Sequence, residues 1–233
     1  MAQYLPLVLV PGLLCSARLY APQVTALWPF GPVTVADHRR DADMAAIAAR
    51  ILEQAPARFA LAGLSMGGYI AFAMLRLAPA RIIKLALLDT SARADTPEQT
   101  ATRKTQIAMV QSGRFGEIPE MAIPRFLHRN RQRDEGLTAT VRQMAIETGP
   151  DAFVRQQMAI MSRPDSRPLL SSIRCPTLVL VGDGDEATPP ELNTEIAGGI
   201  PGAKLTIVPD CGHLSTIEKP DAVNAALVEW LGA

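Results

Sequence analysis

The chain has 233 residues, 48% hydrophobic and 20% charged, a balance that suits one large folded domain and excludes disorder and fibrous repeats. Twenty-three Lys and Arg offset twenty-three Asp and Glu, which removes the long-range attraction that nucleic acid or an anionic membrane surface requires and leaves homo-oligomer formation open. Cys15, Cys175 and Cys211 are too few and too far apart for a disulfide framework or a zinc knuckle, which points to a reducing compartment.

Residues 1–15 are apolar but lack a basic leader, and Pro6, Pro11 and Gly12 interrupt any helical export segment. The segment reads as a core strand. No window reaches the roughly 18 apolar residues of a membrane span, so the expected location is the cytoplasm. Leu7-Val8-Leu9-Val10 is an unbroken apolar run closed by Pro11-Gly12, as in a parallel strand covered on both faces. Helical spacing follows over 17–27, a β-rich stretch over 32–37, and an alanine-rich helix over 41–54 with Asp41 as its N-cap. A strand over 58–63, a helix over 66–77 closed before Pro79, and a strand over 83–88 ending at Asp89 continue the alternation.

That rhythm predicts an α/β fold: one open, mostly parallel sheet with helices on both faces. From 91 to 168 it stops, and polar helices with scattered Met, Ile, Phe and Leu take its place. It resumes with a strand over 177–182, a helix over 191–200, a strand over 204–208 and a helix over 220–231. The expected organisation is a core of 1–90 and 169–233 with a helical cap, 91–168, inserted above the sheet edge where open sheets bind ligands.

Gly63-Leu64-Ser65-Met66-Gly67 is a G-x-S-x-G motif. Alone, that pattern is commonly just a turn. Between a strand and a helix it has mechanical meaning, because small neighbours let the backbone turn sharply and lift the serine hydroxyl clear. The Met66 N–H then stands unpaired at a helix start, one half of an oxyanion hole, and Pro11-Gly12-Leu13 can supply the Leu13 N–H as the other half. A serine needs a base, and of the three histidines only His213 follows a core strand in a loop able to hang over the sheet edge. His38 and His128 lack that access. Gly182-Asp183-Gly184-Asp185 offers the acid that would orient the base; Asp185, farther around the turn, is preferred to Asp183, which is expected to cap its own turn, and to Asp89. The chain order Ser, Asp, His is the order this mechanism takes on open α/β sheets.

Through Gly12, Gly63-Leu64-Ser65-Met66-Gly67-Gly68, Gly182-Asp183-Gly184-Asp185 with Thr188-Pro189, and Gly212-His213-Leu214, the chain resembles the α/β-hydrolase family over nearly its whole length. Within the family it looks most like small bacterial carboxylesterases and 3-oxoadipate enol-lactonases, whose Gly-His-Leu-Ser followed by Glu and Pro matches 212–215, Glu218 and Pro220. The resemblance implies the α/β-hydrolase fold, a triad of Ser65, Asp185 and His213, a small-molecule ester or lactone substrate, and no cofactor or metal. Two departures, Pro11-Gly12 for the usual His-Gly and His38-Arg39-Arg40-Asp41 after the second strand, bear on pocket shape.

Gly12 and Cys15 are placed at the pocket, with Met109, Met158 and Met161 as an adaptable acyl-binding wall, against the plainer reading that these side chains pack the cap onto the sheet. Cys211 is too close to His213 in one loop to face it as a nucleophile. Arg125, Arg129, Arg131 and Arg133 read as a solvated helix face rather than a receptor for a substrate carboxylate. The same triad serves carbon–carbon bond hydrolysis and perhydrolysis, and the same scaffold serves ligand binding without turnover. No complete G-x-G-x-x-G fingerprint supports a dinucleotide enzyme.

Overall fold

The computed structural model describes residues 4–232; the first three residues of the expected core and the last one lie outside them. Strands β1 (Leu7–Val10), β2 (Val33–Val35), β3 (Phe59–Leu64), β4 (Ile82–Leu88), β5 (Thr177–Gly182) and β6 (Lys204–Val208) form one parallel sheet in the order β2-β1-β3-β4-β5-β6. β1, β3 and β5 are buried at every residue, which is why they read as continuous apolar runs rather than alternating ones.

The period of two still divides their side chains between two layers. Val8, Val10, Leu61, Leu85, Leu87 and Val179 pack with α2 (Met44–Gln54), α3 (Met66–Leu77) and α9 (Pro190–Gly199). Leu7, Leu9, Ala60, Ala62, Leu178 and Leu180 pack on the opposite face with α1 (Ala21–Leu27), α10 (Ser215–Glu218) and α11 (Pro220–Gly232). The elements expected from sequence are present, with one displaced start. Asp43, not Asp41, caps α2, its carboxylate accepting from the Ala45 and Ala46 N–H groups at 3.0 Å each. Asp41 is held away by Arg50, which donates to both of its oxygens.

Between β4 and β5 no strand occurs; α4 (Pro97–Gln111), α5 (Ile118–Phe126), α6 (Glu135–Thr148), α7 (Pro150–Ser162) and α8 (Arg167–Leu170) fill the interval. A cluster of Leu14, Val110, Ile118, Ala145 and Phe153 ties these helices to the loop after β1. They therefore cover the carboxyl edge of the sheet. From β1 the chain moves outward to β2 and then back across to β3, so the crossovers diverge between β1 and β3. That divergence opens a crevice at the strands' carboxyl ends, where open sheets bind ligands. No helix among the described residues is long and apolar enough to cross a membrane.

Candidate active site

Ser65 joins β3 to α3 with φ 55° and ψ −114°, a conformation that costs a non-glycine residue about 1–3 kcal/mol. Its surroundings hold it there. The Ser65 N–H donates to the Leu88 carbonyl at 2.9 Å, while the Gly68 N–H and the Thr90 hydroxyl donate to the Ser65 carbonyl at 2.9 and 2.7 Å. A Cβ at Gly67 would collide with the Val10 carbonyl, and one at Gly63 with the Gly67 carbonyl. Only glycine at both positions lets α3 descend so close to β1 and β3.

His213 and Asp185 meet this serine from two other loops. His213 Nε2 lies 2.9 Å from Ser65 Oγ, and His213 Nδ1 lies 2.8 Å from Asp185 Oδ2. Both are almost closed to solvent, at 1% and 3% exposure, so their interaction is little screened by water. The carboxylate is itself fixed: Oδ1 accepts from the Ala187 and Thr188 N–H groups at 2.8 and 2.9 Å, and Oδ2 accepts from the Thr188 hydroxyl at 2.7 Å. Asp183 does not cap its own turn; its Oδ1 accepts from the Cys211 N–H at 3.1 Å and braces the histidine loop.

Among the described residues, neither the Leu13 N–H nor the Met66 N–H has a backbone acceptor outside regular elements, and Met66 is the first residue of its helix. The loop carrying Leu13 is braced from behind. The Leu14 N–H donates to Gln156 Oε1 at 3.1 Å, and His38 Nε2 lies 2.9 Å from the Gly12 carbonyl and 3.0 Å from Gln156 Nε2. Burial pushes the His38 imidazole down to about 4, so it is neutral here. The unfolded chain, with an imidazole near 6.5, takes up a proton between pH 6.5 and about 4 that the folded chain refuses. Stability from neutral His38 is therefore complete above that window and lost as pH falls through it, by on the order of 3 kcal/mol in total. Urea unfolding followed from pH 7 to 4 should show this decline, and His38→Asn should flatten it.

Ser65 and His213 open into a cavity of about 250 Å³ whose other walls include Leu13, Tyr69, Phe126 and Phe153. Cys15, Met109, Met158 and Met161 do not line it. Helix geometry explains the difference. On α4 the cavity side is Gln99, Thr102, Arg103 and Gln106, one stripe at helical spacing that ends before Met109, while α7 presents Phe153 and Ile160 and leaves Met158 46% exposed. Met109 packs instead beside the Leu14 and Phe153 cluster, and Met161 is half-buried outside the cavity. Gly12 sits behind the serine, where a Cβ would come within 3.3 Å of Ser65 Cβ. Burial raises the Cys15 thiol to about 12 and pushes the Cys211 thiol up as well, so neither supplies a thiolate. Among the described residues no three His, Cys, Asp or Glu side chains converge as a metal site.

The family model for the alpha/beta hydrolase family matches residues 5–226. The chain belongs to that family. A thermophilic esterase from Thermogutta terrifontis, solved with malate bound, superposes with a TM-score of 0.90 at 32% identity, covering 100% of this chain and 92% of that one. The enol-lactonase of Burkholderia xenovorans LB400 superposes with a TM-score of 0.89 at 26% identity, covering 99% and 92%. BpoC of Mycobacterium tuberculosis, which carries a non-heme bromoperoxidase name, is 28% identical over 201 residues, covering 82% of this chain and 74% of that one.

Two buried carboxylates brace the site of this alpha/beta hydrolase. Asp89 accepts from the Gly182 N–H at 3.0 Å and is bonded to the Ser215 hydroxyl, so it ties the strand before Asp185 to the loop after His213. Burial, and then the charge of Asp185, hold the Asp89 carboxyl well above its usual range. Glu218 accepts from the Gly212 and His128 N–H groups at 3.1 and 2.9 Å, and the Phe126 carbonyl accepts from the His213 and Leu214 N–H groups at 3.0 and 3.1 Å. The cap thus holds the histidine loop directly. Thr188 and Asp89 were not singled out as supports from sequence. For Thr188 a signal exists: Asp185 with N–H donors two and three residues on is an Asx turn, and D-x-x-T is its pattern.

Proposed function

We propose that this protein is a serine hydrolase that cleaves a small carboxylic ester or lactone through an acyl-enzyme. The observation that carries the reading is the series Ser65 Oγ, His213 and Asp185 Oδ2, linked at 2.9 and 2.8 Å and opening into a cavity. Asp185 accepts a hydrogen bond from His213 Nδ1–H, which fixes that tautomer and leaves Nε2 free to take the proton of Ser65 as the hydroxyl attacks the carbonyl carbon. The Leu13 and Met66 N–H groups bind the oxyanion, whose charge exists only in the tetrahedral states. His213 then returns its proton to the departing alcohol. Water, deprotonated by the same imidazole, attacks the acyl-enzyme and releases the acid with Ser65 restored. Prepaid backbone strain at Ser65 keeps the hydroxyl at this position without reorganisation.

The cavity, at about 250 Å³, is small for a ligand pocket, which favours short acyl groups. The likeness to BpoC supports a second reading, perhydrolysis, in which hydrogen peroxide takes the acyl group in place of water and a peracid leaves. A panel of p-nitrophenyl esters and lactones separates these. Turnover should fall as the acyl chain lengthens beyond about six carbons, and acid should be the product even with millimolar peroxide present. Peracid as the main product would favour the second reading, and no turnover of any short ester would contradict both.

A further inference from the structure

Four arginines, Arg93, Arg103, Arg125 and Arg163, line the cavity that holds Ser65, and no aspartate or glutamate does. The chain as a whole carries zero formal charge, so this is a local concentration. Arg93 is paired with Glu195 at 2.9 Å. Arg103 and Arg163 both lean on one carboxylate, Asp95, at 2.7 and 2.8 Å. These three side chains are 18%, 6% and 4% exposed, so two enclosed guanidinium groups share a single enclosed carboxylate. One positive charge is left without its counterpart.

An enclosed charge lacking a partner is strongly unfavourable, so an excess of this kind suits a wall that an anion joins when ligand binds. Arg163 donates from Nε to the Arg93 carbonyl at 3.1 Å and from Nη1 to the Ile160 carbonyl at 2.9 Å, while Nη2 has no acceptor among the described residues. Its guanidinium lies 4.1 Å from the centroid of Tyr69, which fixes its plane. Tyr69 is one turn along α3 from Ser65, and Tyr69, Arg163 and Ser65 line the same cavity. Arg125, on the exposed side of the same cavity, has no ion-pair partner among the described residues.

We propose that the preferred substrate is an ester or lactone bearing a second, free carboxylate, which Arg163 and Arg103 receive while Arg125 attracts it at the mouth. This rests on the hydrolase reading above and adds the substrate class. Arg163 Nη2, which has no acceptor among the described residues, can donate to such a carboxylate, whose single charge equals the excess left on Asp95's two partners. The cavity volume of about 250 Å³ suits the half-ester of a short diacid. Hydrolysis of such a half-ester consumes one water and yields the diacid and an alcohol.

p-Nitrophenyl hemiglutarate and p-nitrophenyl valerate have acyl chains of equal length and differ in the terminal carboxylate. The anionic ester should have the higher kcat/KM, by roughly tenfold or more at low salt, and the ratio should shrink as salt is added. Arg125→Gln and Arg103→Gln should each lower the ratio, and Arg103→Lys should restore part of it. Arg125 makes no bond that holds the fold, so its variant carries the test even if the Arg103 variants fail to fold. A ratio of one or less, or a ratio unmoved by Arg125→Gln, overturns the proposal. Calorimetry on Ser65→Ala protein separates this from failure of the hydrolase reading. Tighter binding of monomethyl glutarate than of methyl valerate supports the subsite whether or not wild-type protein turns over either ester, and equal binding contradicts it.

Discussion

Ser65→Ala protein should retain its fold and lose nearly all turnover of p-nitrophenyl acetate, with kcat lower by roughly 10⁴ to 10⁶. The hydroxyl has one side-chain partner, His213 Nε2 at 2.9 Å, and the strained turn is held through backbone groups. Alanine at the same φ of 55° meets the same steric cost as serine, so no new strain enters. The substitution therefore removes the hydroxyl alone. An unchanged melting temperature with activity at the background rate is the expected pair of results. Full activity in this variant would remove Ser65 from the chemistry.

Asp185→Asn should lower kcat by roughly 10⁴, the scale on which misorienting the imidazole costs a serine hydrolase, whereas Asp183→Asn should stay within about tenfold of wild type. The two carboxylates lie two residues apart on the same turn, yet their partners differ. Asp185 faces His213 Nδ1 at 2.8 Å, and an amide there no longer dictates which ring nitrogen carries the proton. Asp183 only accepts from the Cys211 N–H, which an asparagine carbonyl can do equally well. Steady-state kinetics on both variants decide the matter, and the reverse ranking would move the acid role to Asp183.

The sheet was legible because buried parallel strands carry an unmistakable signal: Leu7–Val10 and Thr177–Gly182 are unbroken apolar runs closed by glycine or proline. The turn at Ser65 was legible because its glycines answer a steric demand that no other residue meets. The start of α2 was not, since Asp41 and Asp43 both satisfy the N-cap pattern and the choice falls to Arg50, nine residues on. The cavity wall was harder still. Which helical stripe faces the serine depends on how α4 and α7 are rotated against the sheet, and Met109, Met158 and Met161 carry no mark that separates lining from packing. Arg125, read as part of a solvated face, lines the cavity because α5 ends at Phe126, which holds the His213 loop. Contacts between segments far apart in the chain, such as Glu218 with His128 and Gln156 with Leu14, have no local periodicity to announce them.

In the proposed mechanism three loops from distant parts of the chain activate one hydroxyl. A fluorophosphonate probe reads this directly, because it forms a stable adduct only with a serine whose proton a neighbouring base removes. Intact-mass analysis should show one probe per chain, peptide mapping should put it on Ser65, and Ser65→Ala protein should take up none. Wild-type protein that stays unlabelled under conditions that saturate a control serine hydrolase would contradict the account and leave a cavity that binds without reacting.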